Sequence, residues 1–275
     1  MIQELFHIGP LSISPFGVML VVAFLGGFAQ LRWGMRRLGI GGEDDASAIL
    51  FAAGVGGIAG AKIYYAVLYH DWRLLFDRAG LVWYGGFAAG AAAVLWVMRR
   101  RRLPAWRTLD AATPALALGY GLGRIGCFLV GDDYGVPTAL PWGVKFPVGL
   151  PPSTAGYLRT EFGVDVPGSI PADQLLAVHP TQLYETLVAI AICIVGRRLL
   201  KRSAIPGDVA LPVLAMLAAE RFLVEFLRAK DDRLLGIFTV AQAISVAVMI
   251  LLLWLWAARR KEPGARLEAA SKGRA

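Results

Sequence analysis

Residues 121–135 read Gly-Leu-Gly-Arg-Ile-Gly-Cys-Phe-Leu-Val-Gly-Asp-Asp-Tyr-Gly, and they set Arg124 near the end of a stretch, 110–130, that is otherwise apolar enough to lie in lipid. A charge at the bilayer centre costs roughly 2.5–3.5 kcal/mol on insertion scales, so an arginine there needs a partner or a ligand. What Arg124 holds is therefore the question that leads to function.

The rest of the chain supports a membrane setting for this stretch. Of its 275 residues 57% are hydrophobic, and the mean hydropathy is +0.57. A soluble domain of this composition would leave large apolar patches in water. Seven apolar stretches, 15–33, 47–69, 81–98, 110–130, 180–199, 208–228 and 235–257, approach the ~20 residues that cross a ~30 Å hydrocarbon layer. The connections 32–46, 99–109, 197–207 and the segment 258–275 carry 3, 5, 4 and 6 Lys/Arg, against 2, 2 and 3 in 70–80, 131–179 and 228–234. The positive-inside bias then puts the N-terminus outside and the C-terminus in the cytoplasm. The net charge of +8 is thus a topology signal, and no nucleic-acid partner is expected. No Lys or Arg precedes the first apolar run, so no cleaved signal peptide is expected. Cys127 and Cys193 both fall in apolar segments, which leaves neither a disulfide framework nor a metal cluster.

The expected fold is an all-α integral membrane protein of seven transmembrane helices, with one irregular outward cap, 131–179, between the fourth and fifth. That cap holds seven prolines and seven glycines, which resist both helix and central strand. Residues 1–258 read as a single membrane domain and 259–275 as a polar cytoplasmic tail. Ala52, Gly56 and Gly60 have the small-xxx-small spacing of close helix packing.

Gly121-Leu-Gly-Arg-Ile-Gly126 matches G-x-G-x-x-G, but an apolar helix precedes it and no βαβ unit surrounds it, so the dinucleotide reading fails. The costly polar residues converge on the outer half of the bundle. Arg124 lies near the outward end of the fourth span, and Arg221, Glu225 and Arg228 follow at i, i+4 and i+7 on the sixth. Lys62 lies near the outer end of the second span. Tyr84 opens the third, and His179-Pro-Thr-Gln-Leu-Tyr-Glu185 opens the fifth. Two arginines and a lysine make a cradle for a phosphate oxyanion, with Glu185 and Glu225 to orient them. Arg124 and Arg221 are expected to face a shared hollow.

Each residue also has a plainer role. Arg221 with Glu225, or Arg124 with Glu225, could be structural ion pairs. His179 could serve only the start of a helix, with Gln182 capping it, and Tyr84 could be an interface aromatic. Cys127 is an inert thiol unless Arg124 activates it. Asp132 and Asp133 read as solvated or loop-capping, and Asp110, Asp208 and Glu220 as lying near the cytoplasmic side.

These motifs together resemble the bacterial prolipoprotein diacylglyceryl transferase family. GRIGCFLVGDDYG (123–135) resembles its GRIGNF(I/L)NGE-x-(Y/W)G signature, HPTQLYE (179–185) its HP(S/T)QLYE, and RFLVEFLR (221–228) its RF-x-x-EF-x-R. AGAKIYYAVLY (59–69) and VWYGGFAAG (82–90) match more loosely. The resemblance implies an inner-membrane enzyme working toward the outer leaflet. It would move the diacylglyceryl group of phosphatidylglycerol onto the lipobox cysteine of a prolipoprotein, forming a thioether and releasing glycerol phosphate. No metal or organic cofactor is implied.

On that basis Arg124 and Arg221 hold the phosphate, Glu225 orients Arg221, and Tyr84 or His179 assists proton movement. Lys62, Gly123, Cys127, Asp132, Gly135, Gln182, Tyr184, Glu185 and Arg228 complete the substrate site. The chain departs from the family pattern where Phe16, Tyr84, Cys127, Val130 and Leu217 stand for Tyr, His, Asn, Asn and Tyr, and where Lys62 replaces Arg. The thiol-deprotonating group is thereby left open. So are three alternatives: transfer to another acceptor, a non-catalytic protein that binds anionic lipid, and an anion conduit.

Overall fold

A computed structural model describes residues 4–8, 11–76, 82–229, 233–234 and 238–261. Strands β1 (Phe6–Ile8) and β2 (Leu11–Ile13) form a short antiparallel ribbon ahead of helix α1 (Pro15–Leu38). There follow α2 (Glu43–Leu68), α3 (Trp83–Arg100) and α4 (Ala105–Val130). The cap contains the short α5 (Ala155–Thr160) and leads into α6 (Thr181–Arg202) and α7 (Ala210–Val224). A second ribbon, β3 (Arg233–Leu234) with β4 (Phe238–Thr239), precedes α8 (Val240–Lys261). The expected tail falls largely on residues 262–275, outside the described residues.

Each of the seven predicted stretches coincides with a long helix. Four of these, α1, α2, α4 and α8, are long and apolar enough to cross a membrane by length and composition. The other three are shorter or more polar. α3 ends in Arg99 and Arg100, α6 carries Glu185, Arg197 and Arg198, and α7 has 15 residues before tightening into a 3-10 turn at Glu225–Leu227. The outer surface is apolar: Phe51 is 73% exposed, Leu25 63% and Trp254 64%. Such a surface is stable against lipid chains and not against water.

Local chemistry sets the helix ends. Ser14 Oγ accepts the Gly17 N–H at 3.1 Å and Pro15 follows at the first helical position, a favoured start. α1, α3, α6 and α8 each end in a basic turn, which complements the partial negative charge of a helix C-terminus. α4 ends at Gly131, whose φ of 78° turns the chain into the cap.

α1 lies along α4, which also packs on α6 and α7, with α8 against α7. α2 and α3 form a tight pair: a Cβ on Gly60 would stand 2.4 Å from the Gly85 carbonyl oxygen, so only glycine permits this crossing. At the basic end Leu31, Met35, Ile49, Val97 and Ala111 join α1 to α4 in one core. Val209, Val213, Ile192 and Ala117 form a second among α4, α6 and α7. Asp110 is explained by the start of α7. Its carboxylate accepts the backbone N–H groups of Gly207 (2.8 Å), Val209 (3.1 Å) and Ala210 (2.8 Å). Asp208 accepts from Trp256 Nε1 at 2.7 Å and from Arg260, tying the start of α7 to the end of α8.

The cap is irregular, as its prolines suggest, but it has its own core of Tyr134, Phe146, Leu158, Val166 and Val178. Tyr134 stacks on Phe146 with centroids 5.2 Å apart and donates its hydroxyl to Pro151 O at 2.9 Å. The segment that follows Arg124 is thus held by a packed unit.

Candidate active site

Arg124 lies in the second-last turn of α4 and is 8% exposed. A guanidinium there must have its donors met, because an unpaired buried charge costs several kcal/mol. Nε and Nη2 both engage Glu185 Oε2 in the first turns of α6. Nη1 donates to Asp133 Oδ2 at 2.9 Å and approaches Cys127 Sγ at 3.3 Å. Glu185 is itself 1% exposed, and its other oxygen accepts the Tyr120 hydroxyl at 3.0 Å. Tyr120 precedes Arg124 by one helical turn, so α4 presents both to the same face of α6.

Asp133 carries the network onward. Its Oδ1 takes Arg228 Nη2 at 2.5 Å. Arg228 Nε lies 3.7 Å from Glu225 Oε2, and the same oxygen meets Arg221 Nη1. The result is a continuous alternation: Glu185, Arg124, Asp133, Arg228, Glu225, Arg221. Burial opposes ionisation of Asp133, yet the guanidiniums of Arg228 and Arg124 hold its carboxyl below the usual carboxylate range. Its neighbour Asp132 is pushed up by burial.

The first turn of α6 fixes this loop from below. Thr181 Oγ1 donates to Asp133 O at 2.8 Å, and Gln182 Nε2 donates to Asp132 O. The expected capping role of Gln182 is therefore corrected: no side chain caps α6, and the Gln182 amide reaches across to the end of α4 instead. Gly135 has a packing reason, since a Cβ would lie 2.3 Å from Leu227 O and 2.8 Å from His179 Cβ. Its N–H donates to His179 O at 2.8 Å. A Cβ at Gly123 would meet nothing within 4 Å, so the backbone beside Arg124 is open.

His179 and Tyr184 form a second polar group at the start of α6. Trp142 Nε1 donates to Tyr184 Oη at 2.8 Å, and Tyr184 Oη lies 3.2 Å from His179 Nδ1. The indole can only donate, which leaves the phenol hydrogen for the imidazole nitrogen. Burial pushes the His179 pKa down, in keeping with a neutral, accepting Nδ1.

Two further candidates lie on the α2–α3 pair. Lys62 is on α2 and Tyr84, 60% exposed, begins α3, both on the pair closed by Gly60 and Gly85. Three expectations are corrected. Asp133 is exposed, as expected, but instead of standing alone in the loop it joins two arginines. Arg124 pairs with Glu185 and Asp133, not with Glu225, because α6 brings its first turn against α4. Glu220 sits beside Arg221 in the last turns of α7, 6% exposed, and not with Asp110 and Asp208 at the other end. In the network Asp133, Arg228 and Glu225 stand between Arg124 and Arg221. A cleft of about 530 Å³ lies between α2 and α3, lined by Ala52, Val55, Ala93, Trp96 and Arg100.

Tyr120, Thr181 and Trp142 were missed from sequence. The spacing of Tyr120 to Arg124 was a usable signal; the other two depend on the cap's path. Sγ of Cys127 and one carboxylate oxygen each of Asp132 and Asp133 lie within 4.8 Å of one another, a spacing that a metal would accept. The guanidinium of Arg124 already faces two of the three.

Residues 3–258 match the sequence profile of the family described as prolipoprotein diacylglyceryl transferase. The chain is 29% identical over 278 residues to a phosphatidylglycerol–prolipoprotein diacylglyceryl transferase of Synechococcus elongatus, covering 94% of this chain and 89% of the relative. It is 30% identical over 277 residues to the one from Actinobacillus pleuropneumoniae serotype 3, with 94% of each covered. For Xylella fastidiosa strain M12 the identity is 30% over 279 residues, covering 91% of this chain and 90% of the relative. With its arginine–carboxylate network contributed by the same three motifs that carry the resemblance, this chain belongs to the prolipoprotein diacylglyceryl transferase family.

Proposed function

We propose that this protein transfers the diacylglyceryl group of phosphatidylglycerol to the lipobox cysteine thiol of prolipoproteins. The observation that carries the reading is the linked set of three guanidiniums, Arg124 on α4 with Arg221 in the last turn of α7 and Arg228 just past the 3-10 turn that follows it, beside the open backbone of Gly123. In the reaction the thiol gives up its proton and its sulfur attacks the glyceryl carbon. The carbon–oxygen bond to phosphate then breaks, with its electrons going to the departing glycerol phosphate. Charge grows on the phosphate oxygens as that bond breaks, and guanidiniums fixed in advance lower the barrier without reorganising. Arg124 and Arg221 bind the phosphate together with Arg228, and Glu225 orients Arg221. His179, or Tyr84 from the neighbouring pair, moves the proton. Cys127 lies beside Arg124, and Gln182 holds the loop through the Asp132 carbonyl oxygen.

All seven long helices cross the membrane in this reading, with the N-terminus outside and the C-terminus cytoplasmic. The site then opens to the outer leaflet of the inner membrane, as one domain with its cap. The 18 basic residues on one side against 7 on the other support that orientation.

The test is transfer from labelled phosphatidylglycerol to a lipobox peptide. Arg124→Ala should lower the rate by at least about 100-fold, the scale of losing a preorganised charge at a developing anion. Undiminished transfer by that variant would remove Arg124 from the mechanism. Lipid binding by the unaltered chain with no transfer would favour the non-catalytic reading.

A further inference from the structure

The arginine network is neutralised before any lipid arrives. Three guanidiniums, Arg124, Arg228 and Arg221, alternate with three carboxylates, Glu185, Asp133 and Glu225. Two of those carboxylates are built into the bundle, Glu185 at 1% and Glu225 at 5% exposure. Asp133 differs. Its side chain is 43% exposed, although the guanidiniums it joins are 9% and 14% exposed. It belongs to the loop after α4, whereas Glu185 and Glu225 belong to helical turns.

Its two oxygens are used one apiece: Oδ2 takes Arg124 at 2.9 Å and Oδ1 takes Arg228 at 2.5 Å. Two acceptor oxygens on one central atom, bridging two guanidiniums from separate elements, is also how the non-bridging oxygens of a phosphodiester would sit. The backbone shows that this placement is imposed. Asp133 has φ of 56°, in the left-handed region that most L-residues avoid, and Thr181 holds its carbonyl oxygen.

We propose that Asp133 is an internal anion seated between Arg124 and Arg228 where the lipid phosphate binds, and that the incoming phosphodiester displaces it. This rests on the reading of the arginines as the phosphate site. The exchange conserves charge: one carboxylate leaves and one singly charged phosphodiester enters, so lipid binding leaves the charge of the network unchanged. Asp133 can leave because its side chain already opens to solvent. The residue thereby sets the affinity for lipid, since apparent binding weakens by the fraction of time the latch is open.

The experiment uses the full chain in detergent, with dioleoylphosphatidylglycerol as probe. Lipid binding is read by the shift of the unfolding midpoint, and transfer to a lipobox peptide is measured in parallel. Asp133→Asn keeps a residue type that tolerates positive φ, and Asp133→Gly removes the side chain and relieves the backbone. A latch open one-tenth of the time predicts that both variants bind lipid and lower KM by about tenfold, with kcat changed much less. A KM unchanged or raised in both overturns the latch and makes Asp133 a positioning group for the arginines. Loss of folded protein in both overturns it too, because a displaceable latch is dispensable to the fold. Arg124→Ala separates the two ideas. If it transfers normally, the phosphate-site reading fails; if it is inactive while the Asp133 variants raise KM, only the latch fails.

Discussion

At the scale of single residues, burial decides which interactions carry weight. Arg124 and Glu185 are both nine-tenths buried or more, so breaking their pair by removing one partner strands a charge at a cost of about 3–5 kcal/mol. Exposed pairs such as Arg32 with Glu43 contribute far less, because water and salt screen them. Burial lowers the pKa of His179. Its folded-state pKa lies below the ordinary value of 6.5, so the neutral form is the one the fold favours. That stabilisation is complete above pH 6.5 and is lost as the pH falls through the lowered folded value. Thermal unfolding in detergent should therefore show a gap between the wild type and His179→Gln that narrows as the pH drops from about 7 to about 5. A gap independent of pH would mean that protonation of His179 does not disturb its bond to Tyr184.

At the scale of elements, the α2–α3 pair depends on the absence of side chains at its crossing. A Cβ on Gly60 would lie 2.3 Å from Ala89 Cβ and 2.4 Å from Gly85 O, and the second of these is backbone that cannot swing away. Gly60→Leu should force the helices apart and lower the unfolding midpoint measurably, with overpacking of this kind costing about 1–3 kcal/mol or more. A variant with an unchanged midpoint would show that the two helices are not held at this contact. Gly123→Ala is the internal comparison, since its Cβ enters open space. The small-xxx-small spacing of Ala52, Gly56 and Gly60 made the close packing visible in advance. Which partner helix would fill it was not visible, because α1, α3 and α4 all carry small residues.

At the scale of the whole molecule, the orientation is the testable property. The native cysteines Cys127 and Cys193 are buried, so introduced thiols can report on access. Trp142→Cys in the cap should react with a membrane-impermeant maleimide in intact spheroplasts. Arg102→Cys, in the turn after α3, should react only after permeabilisation. The reverse pattern would place the arginine network on the cytoplasmic leaflet and remove its access to secreted acceptors.

What the amino-acid order determined by itself was the set of long helices, their basic ends and the irregular cap. These follow from properties read locally: runs of apolar residues, arginines clustered between them, and prolines that forbid regular backbone. It also placed Arg124, Arg221, Glu225, Arg228 and Glu185 among the candidates, since charge in apolar surroundings is conspicuous on its own. Only the tertiary structure decided the pairing. Arg124 meets Glu185 and Asp133, Glu220 stands beside Arg221, and Lys62 and Tyr84 sit on a separate helix pair. Each outcome depends on how α4, α6 and α7 are rotated about their axes, and packing sets that rotation through contacts distant in the chain. Asp133 shows the difference most clearly. In the sequence it is one of two adjacent loop acids, and only the approach of Arg228 from the end of α7 makes it a bridge between cations.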